Sequence, residues 1–196
     1  MTENELPGSF DVLGSFYIPF REFIYDRRSV MSIAIDKVNT DIGLREVAEL
    51  ADGIWHECFV GIISTGQINY MVEKFQSYEA MKKQTEEQGY YYLAVREDGE
   101  LCGYIGVRPE EGDRFFLSKL YLRNDKRGMG IGSAMLGRVL DEARACGKKS
   151  VYLTVNKHND RAVAVYKKTG FELTDETVTD IGNGYVMDDY IFEYKL

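Results

Sequence analysis

The feature that most constrains this chain is a run of alternating glycines that joins an apolar strand to a long helix. Residues Arg127 to Ser133 read RGMGIGS, follow the strand-like segment FFLSKLYL and open the helical segment GIGSAMLGRVLDEARACG. The first N–H groups of a helix have no intrahelical partner and lie at the positive end of its dipole, and glycine lets a ligand approach the backbone closely. This glycine turn therefore predicts an α/β fold that binds an anion, most naturally a phosphate.

Two familiar phosphate motifs do not fit the spacing of the glycines. A dinucleotide fingerprint needs a third glycine where the sequence has Ser133 or Met135, depending on the starting glycine. A P-loop over residues 147–150 fails because Glu142 stands at its leading glycine and a helix, not a strand, precedes it. Neither kind of nucleotide-binding module is predicted.

The periodicity of the rest of the chain predicts one mixed α/β domain over residues 32–196. SIAIDKV alternates as a strand, apolar positions recur at helical spacing from Leu44 to Cys58, and Asp98-Gly99 joins two strands as a tight hairpin. The predicted order is βααα, βββ, α, β, α, ββ, giving a mixed, twisted sheet of six to seven strands with helices on both faces. Residues 1–31 form an N-terminal extension of unknown role, and the sequence leaves open whether Met31 is the true start.

Composition and charge narrow the class of partner. The formal net charge of -8 and pI near 4.9 argue against binding to nucleic acid or to an anionic membrane surface, and no apolar run is long enough to span a bilayer. Cys58, Cys102 and Cys146 are odd in number and widely spaced, which predicts free thiols in a reducing cytoplasm. His56 and His158 are not spaced as metal ligands, so no metal site is expected.

Two motifs at a characteristic separation carry a family resemblance. Arg127-x-x-Gly130-x-Gly132 resembles the R/Q-x-x-G-x-G/A coenzyme A motif of the GNAT acetyltransferases, and a second block resembles the N-x-x-A-x-x-x-Y-x-x-x-G-F signature of the same family. That second block reads Asn159-x-x-Ala162-x-x-x-Tyr166-x-x-x-Gly170-Phe171. The resemblance extends over residues 32–196 and implies the GNAT acyl-CoA N-acyltransferase fold, acetyl-CoA as acetyl donor and transfer to an amine within a ternary complex. It also suggests a homodimer by analogy.

The resemblance implies particular cofactor contacts. The pyrophosphate is expected to meet Arg127, Gly128, Met129, Gly130, Gly132 and Ser133, while Leu120, Tyr121 and Leu122 present backbone groups to the pantetheine arm and the thioester carbonyl. A backbone N–H on that strand is a candidate for stabilising the oxyanion. Asn159 is either a helix N-cap or a coenzyme A contact, and Arg127 either a phosphate ligand or an ordinary solvated cation.

Direct attack of an amine on a thioester needs an acid for the leaving thiolate and a base for the ammonium. Tyr166 is the predicted acid, because a phenol of pKa about 10 can protonate a thiolate whose thiol has a pKa near 8.5. The base is unassigned: relatives often carry a glutamate on the strand before the glycine turn, but residues 115–120 contain no carboxylate. A water chain remains a candidate, as do four carboxylates, Glu57, Glu73, Asp188 and Asp189.

The acceptor is expected between the early helices and the C-terminal strands. Candidate wall residues are Trp55, Gln67, Tyr70, Met71 and Tyr185, with ordinary core packing at least as strong an alternative for Trp55. Residues 182–189 resemble the tail of bacterial spermidine and spermine acetyltransferases, which together with the acidic balance suggests a polyamine or another cationic small molecule. A protein N-terminal or ribosomal-protein acetyltransferase is the rival within the class, and a non-catalytic acyl-CoA-binding regulatory module the rival outside it.

Overall fold

The computed structural model describes residues 32–196, so the predicted extension over residues 1–31 lies outside the described residues. Its seven strands are β1 Ile33–Lys37, β2 Tyr91–Glu97, β3 Glu100–Pro109, β4 Arg114–Leu122, β5 Ser150–Asn156, β6 Glu172–Gly182 and β7 Tyr185–Lys195. The five α-helices are α1 Asp41–Cys58, α2 Thr65–Met71, α3 Tyr78–Glu87, α4 Ile131–Ala145 and α5 Asp160–Lys168. A π-helical turn, Val72–Gln76, extends α2, and a 3-10 turn, Asn124–Lys126, follows β4. The predicted order of elements is confirmed.

All seven strands form one sheet in the order β1-β2-β3-β4-β5-β7-β6. Every neighbouring pair is antiparallel except β4 and β5, which are parallel and are joined by the crossover helix α4. The β2–β3 hairpin turns at Asp98 (φ 49°) and Gly99 (φ 88°), and the β6–β7 hairpin at Asn183 (φ 55°) and Gly184 (φ 75°). Positive φ at both central residues is what the two-residue hairpin turn demands, so Asp-Gly and Asn-Gly specify these connections locally.

Helices cover both faces of the sheet, as predicted. Side chains of α1 and α3 pack on Tyr92 and Tyr104, which point to the face that we call the α1 face. The neighbouring residues Leu93 and Ile105 point to the opposite side, the α4 face, where they pack with side chains of α4. The alternation follows from the two-residue period of a strand. Ala162 and Tyr166 of α5 join the same cluster on the α4 face.

The parallel pair separates along its length. β4 and β5 are paired only at Arg114–Phe116 against Ser150–Tyr152. Beyond that point residues 117–122 of β4 pair only with β3, and residues 153–156 of β5 pair only with β7. We call the opening between these two segments the strand gap. A shift in the β3–β4 register between Gly106 and Val107 lies beside its closed end, where a bulge bends the strand.

The cysteines, the potential metal ligands and the helices bear on the sequence predictions about disulfides, metals and membranes. The structure shows Cys58, Cys102 and Cys146 as free cysteines. Residues 32–196 contain no group of three or more His, Cys, Asp or Glu side chains arranged to hold a metal ion. Over the same range, none of the helices has both the length and the apolar character needed to cross a membrane.

Candidate active site

The glycine turn presents free backbone donors at the start of α4. Gly128 and Gly130 have φ of 80° and 85°, a conformation that glycine adopts without strain, and Gly130 is the N-cap of the helix. The amides of Ser133 and Ala134 both donate to the Gly130 carbonyl at 3.1 Å. Among the described residues, nothing accepts a hydrogen bond from the amides of residues 128–130. These exposed donors, with open space around the glycines, fit a phosphate group.

The side chain of Arg127 is occupied within the protein. Its Nε donates to the Leu122 carbonyl at 3.1 Å, one terminal nitrogen donates to Asn124 Oδ1 at 3.3 Å, and the other contacts the sulfur of Cys58 at the end of α1. The guanidinium therefore ties β4 and α1 to the base of the glycine turn. A role in pairing with phosphate stays a prediction, and it requires some of these contacts to be exchanged.

The predicted pantetheine-binding residues, Leu120, Tyr121 and Leu122, border the strand gap. They form pairs with β3 on one side only, so their backbone groups on the other side are not used by the sheet. The strand then leads through the 3-10 turn directly into the glycine turn. The glycine turn therefore follows the gap in the chain, with only the 3-10 turn between them.

Helix α5 and its N-cap carry the two predicted residues of the second motif, and Tyr166 packs on the α4 face. Asn159 is the N-cap, since its side chain accepts a hydrogen bond from the Ala162 amide at 3.2 Å. A coenzyme A contact by Asn159 stays a prediction. Tyr166 packs edge-on against Phe171 with ring centroids 5.6 Å apart, and within residues 32–196 its hydroxyl has no hydrogen-bond partner. Burial raises the pKa of Tyr166 to about 12.

Trp55 is part of the core beneath the acceptor side. It is 3% exposed, stacks on Phe59 at 4.2 Å between ring centroids, and donates its indole N–H to the Tyr104 hydroxyl at 3.3 Å. Its ring also lies 5.5 Å from that of Tyr121. The structure thus gives Trp55 the core role considered as the alternative, from which it supports Tyr121 at the strand gap.

The other predicted acceptor residues join α2 to the β6–β7 hairpin. Gln67 donates to the Val186 carbonyl at 2.8 Å, and the Tyr70 hydroxyl donates to the Ile181 carbonyl at 2.7 Å. The rings of Tyr70 and Tyr185 lie 5.5 Å apart. Met71 is buried in the same cluster, together with Trp55 and Tyr121. The structure therefore brings all five predicted wall residues together on the α1 face.

The four carboxylates considered as bases have different surroundings. Glu57, on α1, and Glu73, on the π-helical turn, are exposed. Asp188 forms an ion pair with Lys157 at 2.7 Å. Asp189 is only 8% exposed. Burial first, and then the negative charge of Asp188, raise the pKa of Asp189 to about 6, against the opposing effect of Lys157.

A buried lysine on β4 was not identified from the sequence. Lys119 is 5% exposed on the α1 face, where its ammonium donates to Gln84 Oε1 at 2.9 Å and lies above the rings of Tyr90 and Tyr92. Burial lowers its pKa to about 7. The only signal in the sequence is a single cation inside the otherwise apolar segment FFLSKLYL, and that pattern also describes a strand with one solvated side chain.

Comparison with known proteins places these features in a family. The family model described as "Acetyltransferase (GNAT) family" matches residues 53–171. An uncharacterized N-acetyltransferase of Mycobacterium tuberculosis is 38% identical over 100 residues, covering 48% of this chain and 64% of that protein. The L-amino acid N-acyltransferase MnaT of Escherichia coli is 31% identical over 90 residues, covering 44% of this chain and 52% of that protein. The matches thus span between about half and two thirds of these relatives.

Solved structures share the architecture. The crystal structure of PaiA N-acetyltransferase from Thermoplasma acidophilum in complex with coenzyme A is similar to this chain, with a TM-score of 0.71 at 25% identity. The similarity covers 85% of this chain and 100% of that one. The family model spans more than half of the 196 residues and includes the glycine turn, the strand gap and α5. The chain belongs to the acetyltransferase (GNAT) family.

Proposed function

We propose that this protein is an N-acetyltransferase that moves an acetyl group from acetyl-CoA to the amine of a small molecule. The observation that carries the proposal is the strand gap, which opens between two parallel strands and is followed, after one 3-10 turn, by the free amides of the glycine turn. An elongated ligand with an amide-containing arm joined to a pyrophosphate matches that arrangement. The crystal structure of the PaiA enzyme contains coenzyme A, which supports the same ligand here.

The backbone supplies most of the binding groups in this proposal. Amides at residues 128–130 and the positive end of α4 hold the pyrophosphate, while the unpaired edge of residues 120–122 is available for the pantetheine amides. A free N–H on the same edge polarises the thioester carbonyl and stabilises the oxyanion that forms when an amine attacks. Such donors are fixed by the sheet, so they need not reorganise during the reaction.

Tyr166 protonates the departing thiolate in this scheme. Its raised pKa keeps the phenol protonated throughout the neutral range. Against a thiol pKa of about 8.5, a phenol with a pKa of about 12 gives up its proton at a cost of about 5 kcal/mol. A complete transfer ahead of bond cleavage is therefore unfavourable. We expect the proton to move as the C–S bond breaks.

The acceptor is a small amine that enters from the α1 face. The contacts of Gln67 and Tyr70 with the β6–β7 hairpin, and the nearby ring of Tyr185, form a compact wall there. The names of two relatives support a small amino compound as the acceptor. MnaT acts on L-amino acids, and a Salmonella typhimurium relative acts on L-methionine sulfoximine and L-methionine sulfone. The formal charge of -8 favours a cationic acceptor, so polyamines remain the second class to be assayed.

A calorimetric titration of acetyl-CoA tests the binding half of the proposal. Gly130→Asp places a carboxylate at the N-cap of α4, where it repels the pyrophosphate, and should abolish binding. Gly147→Asp is the matched control, because Gly147 also has a positive φ (68°) and open surroundings but lies at the other end of α4. Wild type and the control should bind alike. Loss of binding in both variants, or in neither, would contradict the assignment of the glycine turn.

Release of free thiol tests the catalytic half. Wild type should turn over at least one acceptor from a panel of L-amino acids, methionine sulfoximine, polyamines, aminoglycosides and N-terminal peptides, and Tyr166→Phe should lower kcat by about 100-fold or more. Turnover of peptides alone would favour a protein acetyltransferase. Binding of acetyl-CoA without turnover of any amine would instead indicate a non-catalytic acyl-CoA-binding module.

A further inference from the structure

Three buried carboxylate oxygens in residues 32–196 have no hydrogen-bond partner: Glu97 Oε2, Asp188 Oδ1 and Asp189 Oδ1. The first two each face a lysine ammonium, from Lys126 and Lys157 respectively. Asp189 has neither an ion pair nor a hydrogen bond to its carboxylate within the described part of the chain. An unsatisfied buried oxygen of this kind costs about 1–3 kcal/mol, and more when it is charged. The carboxylate of Asp189 therefore destabilises the fold, and a role in function would account for its position.

The position of Asp189 in the sheet indicates that role. It pairs with Asn156 at the end of β5, on the open side of the strand gap. Because side chains alternate along β7, Asp189 points to the same face as Met187 and Tyr185, which pack with α2. Its carboxylate is therefore directed toward the acceptor side of the gap.

One aromatic residue, Tyr121, is coupled electrostatically to both this carboxylate and the proposed acid. Burial raises the pKa of Tyr121 well above its usual value, and the next contributions come from Tyr166, Cys58 and Asp189. Tyr121 packs with Tyr185 and Met187 on the α1 face, to which Asp189 points, whereas Tyr166 belongs to the cluster on the α4 face. The thioester carbonyl is expected beside Tyr121, between Asp189 and Tyr166.

We propose that Asp189 is the general base that removes the proton from the acceptor ammonium. The proposal rests on the proposed acetyltransferase function and identifies the proton acceptor that the sequence leaves unassigned. Glu57 and Glu73 are exposed, and Asp188 is held by Lys157. Asp189 is the one member of the four that combines burial, a free oxygen and a position at the gap.

The reaction balances without any further reactant. The Asp189 carboxylate takes one proton from the ammonium, and the neutral nitrogen forms a C–N bond with the thioester carbon. The second nitrogen proton leaves during this step, replacing the one that Tyr166 gives to sulfur as the C–S bond breaks. The third proton stays on the amide product. Asp189 then releases its proton to solvent, so the net products are the amide, the free thiol and one proton.

The charges around Asp189 suit this task. Burial and Asp188 raise its pKa to about 6, while Lys157 acts in the opposite direction. Asp189 in turn raises the pKa of Tyr121 on β4, to which Tyr166 and Cys58 also contribute. The carboxylate is thus ionised at neutral pH and more basic than an ordinary aspartate, whose pKa is about 3.9. We expect kcat/KM of the wild type to fall as the pH drops below about 6 and to change little from there up to the pKa of the amine.

The test compares Asp189→Asn with Asp188→Asn and Asp189→Glu, using the best acceptor amine. At pH 7, Asp189→Asn should lower kcat/KM by about 100-fold or more. Asp188→Asn removes a charge on the other face that raises the pKa of Asp189, so it should move the fall in kcat/KM to lower pH and stay within about threefold of the wild type at pH 7. Asp189→Glu should recover part of the loss. Without a base, the variant depends on amine that is already neutral in solution. Its deficit should therefore shrink about tenfold for each pH unit toward the pKa of the amine.

Structural damage and loss of a base give different results. Asp189→Asn should bind acetyl-CoA as the wild type does, because the glycine turn is unaltered. A loss smaller than about threefold, or a deficit that is constant with pH, would overturn the assignment of Asp189 and leave the proposed acetyltransferase function standing. Acetyl-CoA binding by the wild type with no turnover of any amine would sink the proposed function and the base together.

Discussion

Substitution of Lys119 tests whether burial in the protein interior lowers the pKa of a lysine. Its ammonium is buried between β4 and α3, and its one hydrogen-bond partner among the described residues, Gln84 Oε1, also accepts a hydrogen bond from the Tyr92 hydroxyl. Lys119→Met keeps the length of the side chain and removes the charge. Because Tyr92 still satisfies the Gln84 oxygen, the substitution should leave no buried acceptor without a donor.

The magnitude follows from the lowered pKa of Lys119. Its pKa falls from 10.5 to about 7 on folding, so between these values the unfolded chain holds a proton that the folded protein has released. The penalty is complete below pH 7 and disappears as the pH rises to 10.5, which means that the stability of the wild type increases with pH in this window. From pH 7 to pH 9 the folded lysine goes from half protonated to almost neutral. At 1.36 kcal/mol per unit this contributes about 2 kcal/mol.

Urea unfolding of the wild type and of Lys119→Met at pH 7 and pH 9 measures this difference. The substitution should raise the free energy of unfolding by about 2 kcal/mol more at pH 7 than at pH 9. His56 and Cys102, whose pKa values are both raised, are present in both proteins, so their contributions cancel in the comparison. Lys82→Met, which removes a half-exposed lysine with a raised pKa, should show no such difference. If the increase in the free energy of unfolding caused by Lys119→Met differed by less than 0.5 kcal/mol between pH 7 and pH 9, neutralisation of Lys119 by burial would be refuted.

Four further substitutions test packing around the site and on α1. Gly103→Ala places a Cβ 2.7 Å from the Tyr121 carbonyl and should destabilise by about 1–3 kcal/mol in urea, whereas Gly53→Ala, in open space on α1, should stabilise by about 0.5–1 kcal/mol. Tyr104→Phe removes the hydroxyl that joins Trp55 to Gln76 and should cost about 1–3 kcal/mol by thermal unfolding; an unchanged Tm would contradict this. Gly66→Ala meets the Tyr185 hydroxyl at 2.7 Å and should raise the KM of the amine without weakening acetyl-CoA binding, which kinetics and calorimetry separate.

The fold could be predicted from the sequence because local signals agree with the final structure. Asp98-Gly99 forms the hairpin turn that its residues demand. Gly89, Gly147 and Gly170 each follow a helix with φ between 68° and 91°, as a C-terminal stop requires. The number and order of elements follow from such short-range patterns. The π-helical turn after α2 could not be predicted in this way, because its apolar positions also fit a continuous helix.

The candidate site was predictable only where its chemistry lies in the backbone. The glycine turn is encoded by adjacent residues, so its position and its free amides follow from the motif. Arg127 shows the limit of that logic, since the partners of its guanidinium include Cys58, which lies 69 positions earlier in the chain. The spacing of a motif predicts the backbone position of a residue such as Arg127, but it does not predict which groups its guanidinium contacts.

Asp189 illustrates the same limit for proton transfer. Seen as sequence, Asp188 and Asp189 are two adjacent acids, and nothing local distinguishes them. Their difference arises from the alternation of β7, which turns one toward Lys157 and the other toward the strand gap, and from the sheet order that places β7 beside the diverging β5. Removing the charge of Asp188 lowers the pKa of the proposed base and keeps the base, whereas removing the charge of Asp189 removes the base itself. A base on β7 would also explain how this chain dispenses with a carboxylate on β4, where it has a buried lysine instead.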